Sequence, residues 1–153
     1  MALSKPQPVI DPWVIDRSRD LLERAYLLFD NADGITDQPE RFRQFYLAAL
    51  RSSGAVLALY EPRTRPVRGR ASRSAWSRLA GVVPEFAATA DAFAGLSRVR
   101  MDIESGILRS IDVGEVEEFR GAVMDLLNRV ERQVIAYEQG KLPHQSVSVP
   151  HSA

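Results

Sequence analysis

The residues with the clearest chemical potential are arginines clustered in one short stretch, residues 62–78. This stretch contains six arginines and no carboxylate. A guanidinium group can bind two phosphate oxygens at once, and a loop with proline and glycine can follow a nucleic-acid backbone. The pattern therefore indicates a candidate nucleic-acid or phosphate-binding site. Its predicted residues are Arg63, Arg65, Arg68, Arg70 and Arg73.

The same cluster has a second interpretation, which is a solvated linker. Glu115, Glu117 and Glu118 crowd the start of the last predicted helix, where they suit the positive end of the helix dipole and could also pair with the arginines. The chain has eighteen arginines and only two lysines, so the abundance of arginine says little by itself. The clustering is the better indication, and the sequence leaves both interpretations open.

Side chains suited to catalysis are scarce. The chain has no cysteine, which excludes disulfides and thiolate metal sites. Its two histidines, His144 and His151, follow the last helical pattern in a polar segment. We predict that both belong to an unstructured tail and that the protein binds no metal and no cofactor.

Two carboxylates near the middle of the chain, Asp102 and Glu104, are of a type that can take part in acid–base or metal chemistry. Residues two positions apart point to different faces of a helix. Arg98 and Arg100 each precede one of these carboxylates by four residues. This spacing predicts ordinary surface ion pairs rather than a catalytic pair.

Length and composition indicate one globular domain. The chain has 153 residues, 45% of them apolar and 26% charged, with a net charge of zero. Charge is unevenly placed: residues 62–78 are strongly basic, whereas residues 79–138 have eleven acids against six bases. The longest uncharged stretch in the middle, residues 52–60, is too short to cross a bilayer, and the first fourteen residues do not resemble a signal peptide. We expect a cytoplasmic protein without a membrane partner.

Apolar residues at helical spacing predict four helical segments. Asp11 precedes Pro12 and is a typical N-cap for the first, which we expect to stop near residues 30–34. Thr36 or Asp37 can cap the second, which Pro62 ends. The arginine-rich stretch then follows as a loop.

The third segment begins at Ser72 or Ser74 and should break near Val83, because Pro84 interrupts it, before resuming to about residue 101. Asp112 caps the fourth, and Gly140 is expected just after its end. The alanine-rich face of residues 87–94 would allow close approach of another helix.

These patterns predict an all-α fold, an antiparallel four- to five-helix bundle. We assign residues 1–11 to an N-terminal extension, residues 12–139 to the helical-bundle domain and residues 140–153 to a disordered tail. Seven core positions are expected to be largely buried: Phe45, Leu50, Leu57, Trp76, Phe93, Leu127 and Val130.

Three segments in this order resemble a known family. They are PERFRQFYLAALRSSGAVLALYEPR at residues 39–63, SAWSRLAGVVPEFAATADAFA at residues 74–94 after the basic loop, and DVGEVEEFRGAVMDLLNRVE at residues 112–131. The combination resembles an actinobacterial branch of the HEPN superfamily over roughly residues 12–139. The resemblance implies a four- to five-helix bundle, often dimeric, and in many members a metal-independent ribonuclease.

The ribonuclease motif of that superfamily is an arginine, four to six residues, and then a histidine. No arginine lies at the required distance before His144 or His151, so no catalytic residue is carried over. We therefore predict a non-catalytic HEPN-like bundle that acts by binding, as a homodimer or with a protein or nucleic-acid partner. The alternative is a ribonuclease-type enzyme of the superfamily with a non-standard active site.

Overall fold

The computed structural model describes residues 7–61 and 74–146. Helices dominate this part of the chain, and its strand-like pairing is limited to an isolated bridge between Pro8 and Ser146. The helices are α1 (Pro12–Asp33), α2 (Gln38–Tyr60), α3 (Ala75–Val82), α4 (Ala87–Gly95), α5 (Ser97–Glu104) and α6 (Val113–Glu138), with 3-10 turns at Pro84–Phe86 and Pro143–Gln145. The all-α prediction is confirmed.

Local sequence signals explain where the long helices begin. The side chains of Asp11, Asp37 and Asp112 accept hydrogen bonds from backbone N–H groups of the first turns of α1, α2 and α6, at 2.9, 3.2 and 3.1 Å. Each bond satisfies a donor that has no partner inside its helix. The predicted N-caps of these three helices are therefore confirmed.

Of the three long helices, two run parallel and one antiparallel. The rings of Phe42 and Phe119, near the starts of α2 and α6, have centroids 4.3 Å apart. Near the ends of the same helices, the Tyr60 hydroxyl donates to Gln133 at 2.8 Å, so α2 and α6 run parallel. The end of α1 meets the start of α6 through Asp33 and Arg120, so α1 runs antiparallel to both.

The third predicted segment is interrupted twice rather than once. The expected break at Val83 is confirmed, because Val83 is extended (φ −131°, ψ 90°) and Pro84 starts a 3-10 turn. A second, unpredicted interruption falls at Leu96, between α4 and α5. There the Ser97 hydroxyl donates to the Ala94 carbonyl at 2.8 Å, a local bond that competes with regular helix bonding.

One core joins α1, α2, α3, α4 and α6. Six of the seven predicted core residues are buried, and Leu50 is half-buried against the same cluster. Leu127 and Val130 of α6 are completely shielded from solvent. The helical periodicity of the apolar residues therefore located the core correctly apart from one side chain at its edge.

The prediction of a disordered tail from residue 140 is wrong for residues 140–146. Gly140 has φ +69° and follows α6 as expected, and Lys141 N–H then donates to the Ala136 carbonyl at 2.8 Å. Leu142 and Gln145 are buried. The physical reason is that this segment is anchored to the bundle by side chains, although its composition is polar. Residues 147–153 lie outside the described residues.

Candidate functional site

The predicted phosphate-binding residues, Arg63, Arg65, Arg68, Arg70 and Arg73, lie outside the described residues, so this site stays a prediction. The described residues on either side of the stretch are Glu61, after α2, and Ser74, which caps α3 by accepting a hydrogen bond from Trp76 N–H at 3.1 Å. Arg78, the sixth arginine of the cluster, lies on α3 and forms an ion pair with Glu61 at 3.4 Å.

His144 is packed on the bundle, which corrects the expectation of an unstructured residue. Its ring centroid is 4.3 Å from that of Tyr60 and 6.3 Å from that of Tyr137. Its Nε2 atom is 2.9 Å from the Leu59 carbonyl oxygen, near the end of α2. Since this carbonyl lies in the last turn of the helix, the histidine provides a hydrogen bond that the helix itself lacks. His151 lies outside the described residues.

Gln145 holds the same segment in place. Its side-chain amide donates to the carbonyls of Tyr137 at 2.8 Å and Val9 at 3.1 Å, and its side-chain oxygen accepts from Leu142 N–H at 2.9 Å. The residue is 2% exposed. A buried amide with three backbone partners fastens both ends of the described chain to α6, a function that the polar sequence around Gln145 does not indicate.

The predicted surface ion pairs of α5 are confirmed. Arg98 lies 3.3 Å from Asp102, and Arg100 lies 3.5 Å from Glu104, both with a spacing of four residues. In the described part of the chain, no group of three or more histidine, aspartate and glutamate side chains is arranged to hold a metal ion. None of the helices in residues 7–61 and 74–146 has the length and apolar character needed to cross a membrane.

A charge network joins the end of α1 to the starts of α2 and α6. Arg120 binds both carboxylate oxygens of Asp33, at 2.7 and 3.0 Å. Arg41, whose side chain is 11% exposed, pairs with Glu117 and lies 3.5 Å from Asp33. The hydrogen bond from Arg120 lowers the pKa of Asp33 below its ordinary value, against the opposing effect of desolvation.

Aromatic rings complete this network. The Arg41 guanidinium lies 5.2 Å from the ring centroid of Phe45, and the Arg120 guanidinium lies 5.0 Å from that of Phe29. These are cation–π distances. Because both arginines are held by carboxylates and rings of the same chain, we assign the network to the joining of helices. Glu117 is one of the three glutamates that could pair with the arginine-rich stretch. Among the described residues, its partner is Arg41 of α2.

An acidic groove lies beside the first half of α6. It has a volume of about 620 Å³, and its wall includes Phe42, Leu96 and Phe119. Asp112, Glu115 and Glu118 line its α6 side. The connection from α5 to α6 contributes Leu108, Ser110 and Ile111 to its lining.

An alanine groove continues along the second half of α6. It has a volume of about 570 Å³ and separates α4 from α6. Ala88 and Ala92 of α4 face Ala122 of α6 across it, and Arg129 and Arg132 line its far end. Ala122 belongs to both grooves, so the two form one continuous surface. The predicted alanine-rich face is therefore divided: Ala90 is buried in the core, whereas Ala88 and Ala92 are exposed.

Taken together, these features define a small all-α bundle domain with an ordered C-terminal segment and a long surface groove along its last helix. A family model described as SAV_6107-like HEPN matches residues 32–131, most of the bundle. The chain therefore belongs to this HEPN family, as the resemblance of its helical segments indicated. Its placement in an actinobacterial branch stays a prediction. No curated protein and no solved structure shows significant similarity to the chain.

Proposed function

We propose that this chain is a HEPN domain that acts by binding a partner and does not cleave RNA. The observation that supports this proposal best is the environment of His144. Its Nε2 atom is engaged with the Leu59 carbonyl, its ring packs on Tyr60, and no arginine precedes it at the spacing of the ribonuclease motif. A general acid–base histidine presents a ring nitrogen to the substrate, whereas the Nε2 atom of His144 faces a backbone carbonyl of α2.

Four carboxylates that line neither groove are held in ion pairs. Asp33 and Glu117 are bonded to arginines of neighbouring helices, and Glu131 and Glu138 are both bonded to Arg19. The hydrogen bond from Arg120 lowers the pKa of Asp33, so this carboxylate stays charged and is a poor proton donor near neutral pH. These four carboxylates join helices and are not free to act as general acids or bases, which favours a binding function over a nuclease active site at these positions.

We further propose that Arg63, Arg65, Arg68, Arg70 and Arg73 contact the phosphate backbone of a nucleic acid. The support is the sequence of this stretch, which has no carboxylate between Glu61 and Glu85. Backbone contacts of this kind give binding that tolerates changes of base sequence and weakens steeply with salt.

The first expected result is that the purified protein does not cleave single-stranded RNA in a gel assay with a labelled oligonucleotide. The matched sample is the double variant His144→Ala/His151→Ala, which removes both histidines. Cleavage by the natural protein that disappears in this variant would overturn the proposal. Cleavage that persists in the variant would equally contradict it, provided that the activity copurifies with the folded protein.

The second expected result concerns salt. Fluorescence anisotropy with a labelled single-stranded RNA should show weak binding. The logarithm of the association constant should fall linearly with the logarithm of the salt concentration. The triple variant Arg65→Ala/Arg68→Ala/Arg70→Ala should flatten this slope by about two units, since each phosphate neutralised on a single strand contributes about 0.7. The melting temperature should stay nearly unchanged.

A control variant distinguishes the effect of the arginine-rich stretch on RNA binding from the effect of the total charge. Arg17, Arg51 and Arg98 are exposed on α1, α2 and α5, and replacing all three by alanine removes the same net charge. This control should keep the salt slope within about one unit of the natural protein, because only arginines that neutralise phosphates contribute to the slope. Undetectable RNA binding at low salt, or equal flattening in both triple variants, would sink the nucleic-acid proposal.

A further inference from the structure

The acidic groove combines an apolar lining with charge of one sign. Among the described residues, its charged lining side chains are all carboxylates, those of Asp112, Glu115 and Glu118. Most of the other lining residues are apolar, and four of them are only partly buried, so the groove leaves apolar surface in contact with water: Leu96, Val99, Leu108 and Ile111.

The arginines closest in sequence to this groove are engaged elsewhere. Arg98 and Arg100 of α5 pair with carboxylates of their own helix, at 3.3 and 3.5 Å. Arg109 of the connection from α5 to α6 donates to a backbone carbonyl three residues before it, and Arg120 binds a carboxylate of α1. These interactions leave the negative charge of the groove without a balancing arginine.

Glu115 and Glu118 carry charge that the described fold does not use. Within residues 7–61 and 74–146, no ion pair engages either carboxylate. The positive end of the α6 dipole accounts for Glu115, which lies in the first turn, but the effect falls off within that turn and does not account for Glu118. Both carboxylates are therefore available to a cation outside the chain.

The helices around the groove also expose large apolar side chains. Met101 of α5, Ile107 of the connection and Val113 at the start of α6 are each more than half exposed. Exposed apolar surface beside polar residues is typical of an interaction site on a soluble protein. Charge and apolar surface thus indicate a ligand that is both basic and apolar.

The length of the surface favours a peptide over a small molecule. Through Ala122 the acidic groove continues into the alanine groove, so a compact ligand would cover only part of it. Strand-like pairing in the described residues is limited to one isolated bridge, so no sheet edge is offered there to an extended peptide. A helix that lays its apolar stripe into a groove is the mode that fits, and the exposed side chains of Ala88 and Ala92 are small enough for close approach.

We propose that the acidic groove docks an amphipathic helix of a partner protein, with lysine or arginine side chains of that helix facing Glu115 and Glu118. Its large apolar side chains would lie against Leu108 and the neighbouring apolar lining. Since Arg132 lines the far end of the alanine groove, the basic residues of the helix belong over the first half of α6. The carboxylates repel nucleic acid, so this surface and the arginine-rich stretch bind different partners.

The inference deepens the proposal that the domain acts by binding, but it is tested without RNA, so either proposal can fail while the other stands. The probe is a fluorescent synthetic peptide of about 18 residues, whose helix of roughly 27 Å covers the groove. It has leucine at every third or fourth position, lysines beside the leucines at one end, and alanine and glutamine elsewhere. Fluorescence anisotropy at physiological ionic strength should show saturable binding below about 100 micromolar protein. The same peptide with glutamate in place of each lysine should bind at least about tenfold more weakly.

A charge variant tests the carboxylates. Glu115→Gln/Glu118→Gln should raise the dissociation constant of the lysine peptide about three- to tenfold, because two ion pairs are lost. The matched control, Glu23→Gln/Asp30→Asn, removes the same charge from exposed positions of α1. It should change the constant less than about twofold, because salt screens charges that are more than roughly 8 Å apart.

A second variant tests the shape of the groove without altering its charge. Ala122→Trp fills the groove from an exposed position of α6, so the bundle should stay folded by circular dichroism while the affinity falls about tenfold or more. Undetectable binding of the lysine peptide to the natural protein overturns the inference, and so does equal binding of the two peptides. An affinity that is unchanged in Ala122→Trp, or equal in the two charge variants, contradicts it as well.

Two other occupants of the groove would also be recognised by these variants. If Arg65→Ala/Arg68→Ala/Arg70→Ala binds the lysine peptide much more tightly than the natural protein does, the groove belongs to the chain's own arginine-rich stretch. If sedimentation shows that Ala122→Trp converts a dimer into a monomer, the groove belongs to a second copy. Either result overturns the assignment to a partner helix.

Discussion

Replacing Leu127 by alanine is expected to lower the free energy of unfolding by about 2–5 kcal/mol. The side chain lies in the middle of α6, is 0% exposed and belongs to the core cluster that joins α6 to α1 and α2. Truncation removes buried apolar surface and leaves a cavity that the three long helices can close only partly. Chemical denaturation followed by circular dichroism at the helical signal measures the loss.

An exposed leucine on another long helix provides the matched control. Leu27 of α1 is 62% exposed, and Leu27→Ala makes the same chemical change without opening a cavity. We expect it to alter the free energy of unfolding by less than about 0.5 kcal/mol. If the two variants unfold at the same denaturant concentration, the placement of α6 against α1 and α2 is wrong.

The helix starts could be predicted because their causes are local. An aspartate followed by a helical apolar pattern predicts where a helix begins, and its carboxylate accepts a hydrogen bond from the first turn. The helices α1, α2 and α6 all begin in this way. The break at Val83 was predictable for a similar reason, since Pro84 lacks a backbone donor. None of these signals depends on distant parts of the chain.

The ordered C-terminal segment was missed because its causes are distant in sequence. Gln145 bonds to Val9, at the opposite end of the chain, and His144 bonds to Leu59 at the end of α2. Composition alone favours disorder for a short polar segment with proline and glycine. The backbone carbonyls that Gln145 and His144 contact come close to these side chains only when the helices pack.

The groove along α6 shows a second reason why the sequence alone could not predict the whole surface. The glutamates at the start of α6 and the alanines of α4 are each visible in the sequence, but nothing in the sequence places them beside each other. Which faces of α4 and α6 stay exposed depends on how the two helices pack, so the continuous groove along α6 becomes visible only in the folded chain. The buried apolar stripe of α6 is the stronger signal in the sequence.

Replacing Trp76 by alanine is expected to lower the free energy of unfolding by about 3–5 kcal/mol. The indole is 2% exposed, and its ring centroid lies 5.0 Å from that of Phe93. Its N–H donates to the Tyr46 hydroxyl at 2.9 Å, so truncation also leaves a buried hydroxyl with one partner fewer. Because Trp76 lies in the first turn of α3, its loss should loosen the helix that follows the arginine-rich stretch.

Two further variants separate the contributions to this loss. Trp76→Phe keeps an aromatic ring against Phe93 but removes the donor to Tyr46, so it should cost about 1–3 kcal/mol, less than the alanine variant. Trp13→Ala changes the other tryptophan, which is 55% exposed on α1, and should cost little. Urea unfolding followed by circular dichroism ranks the three variants. If Trp76→Ala destabilises as little as Trp13→Ala, Trp76 is not the anchor of α3, and its position after the basic stretch would instead favour an aromatic that stacks on a bound base.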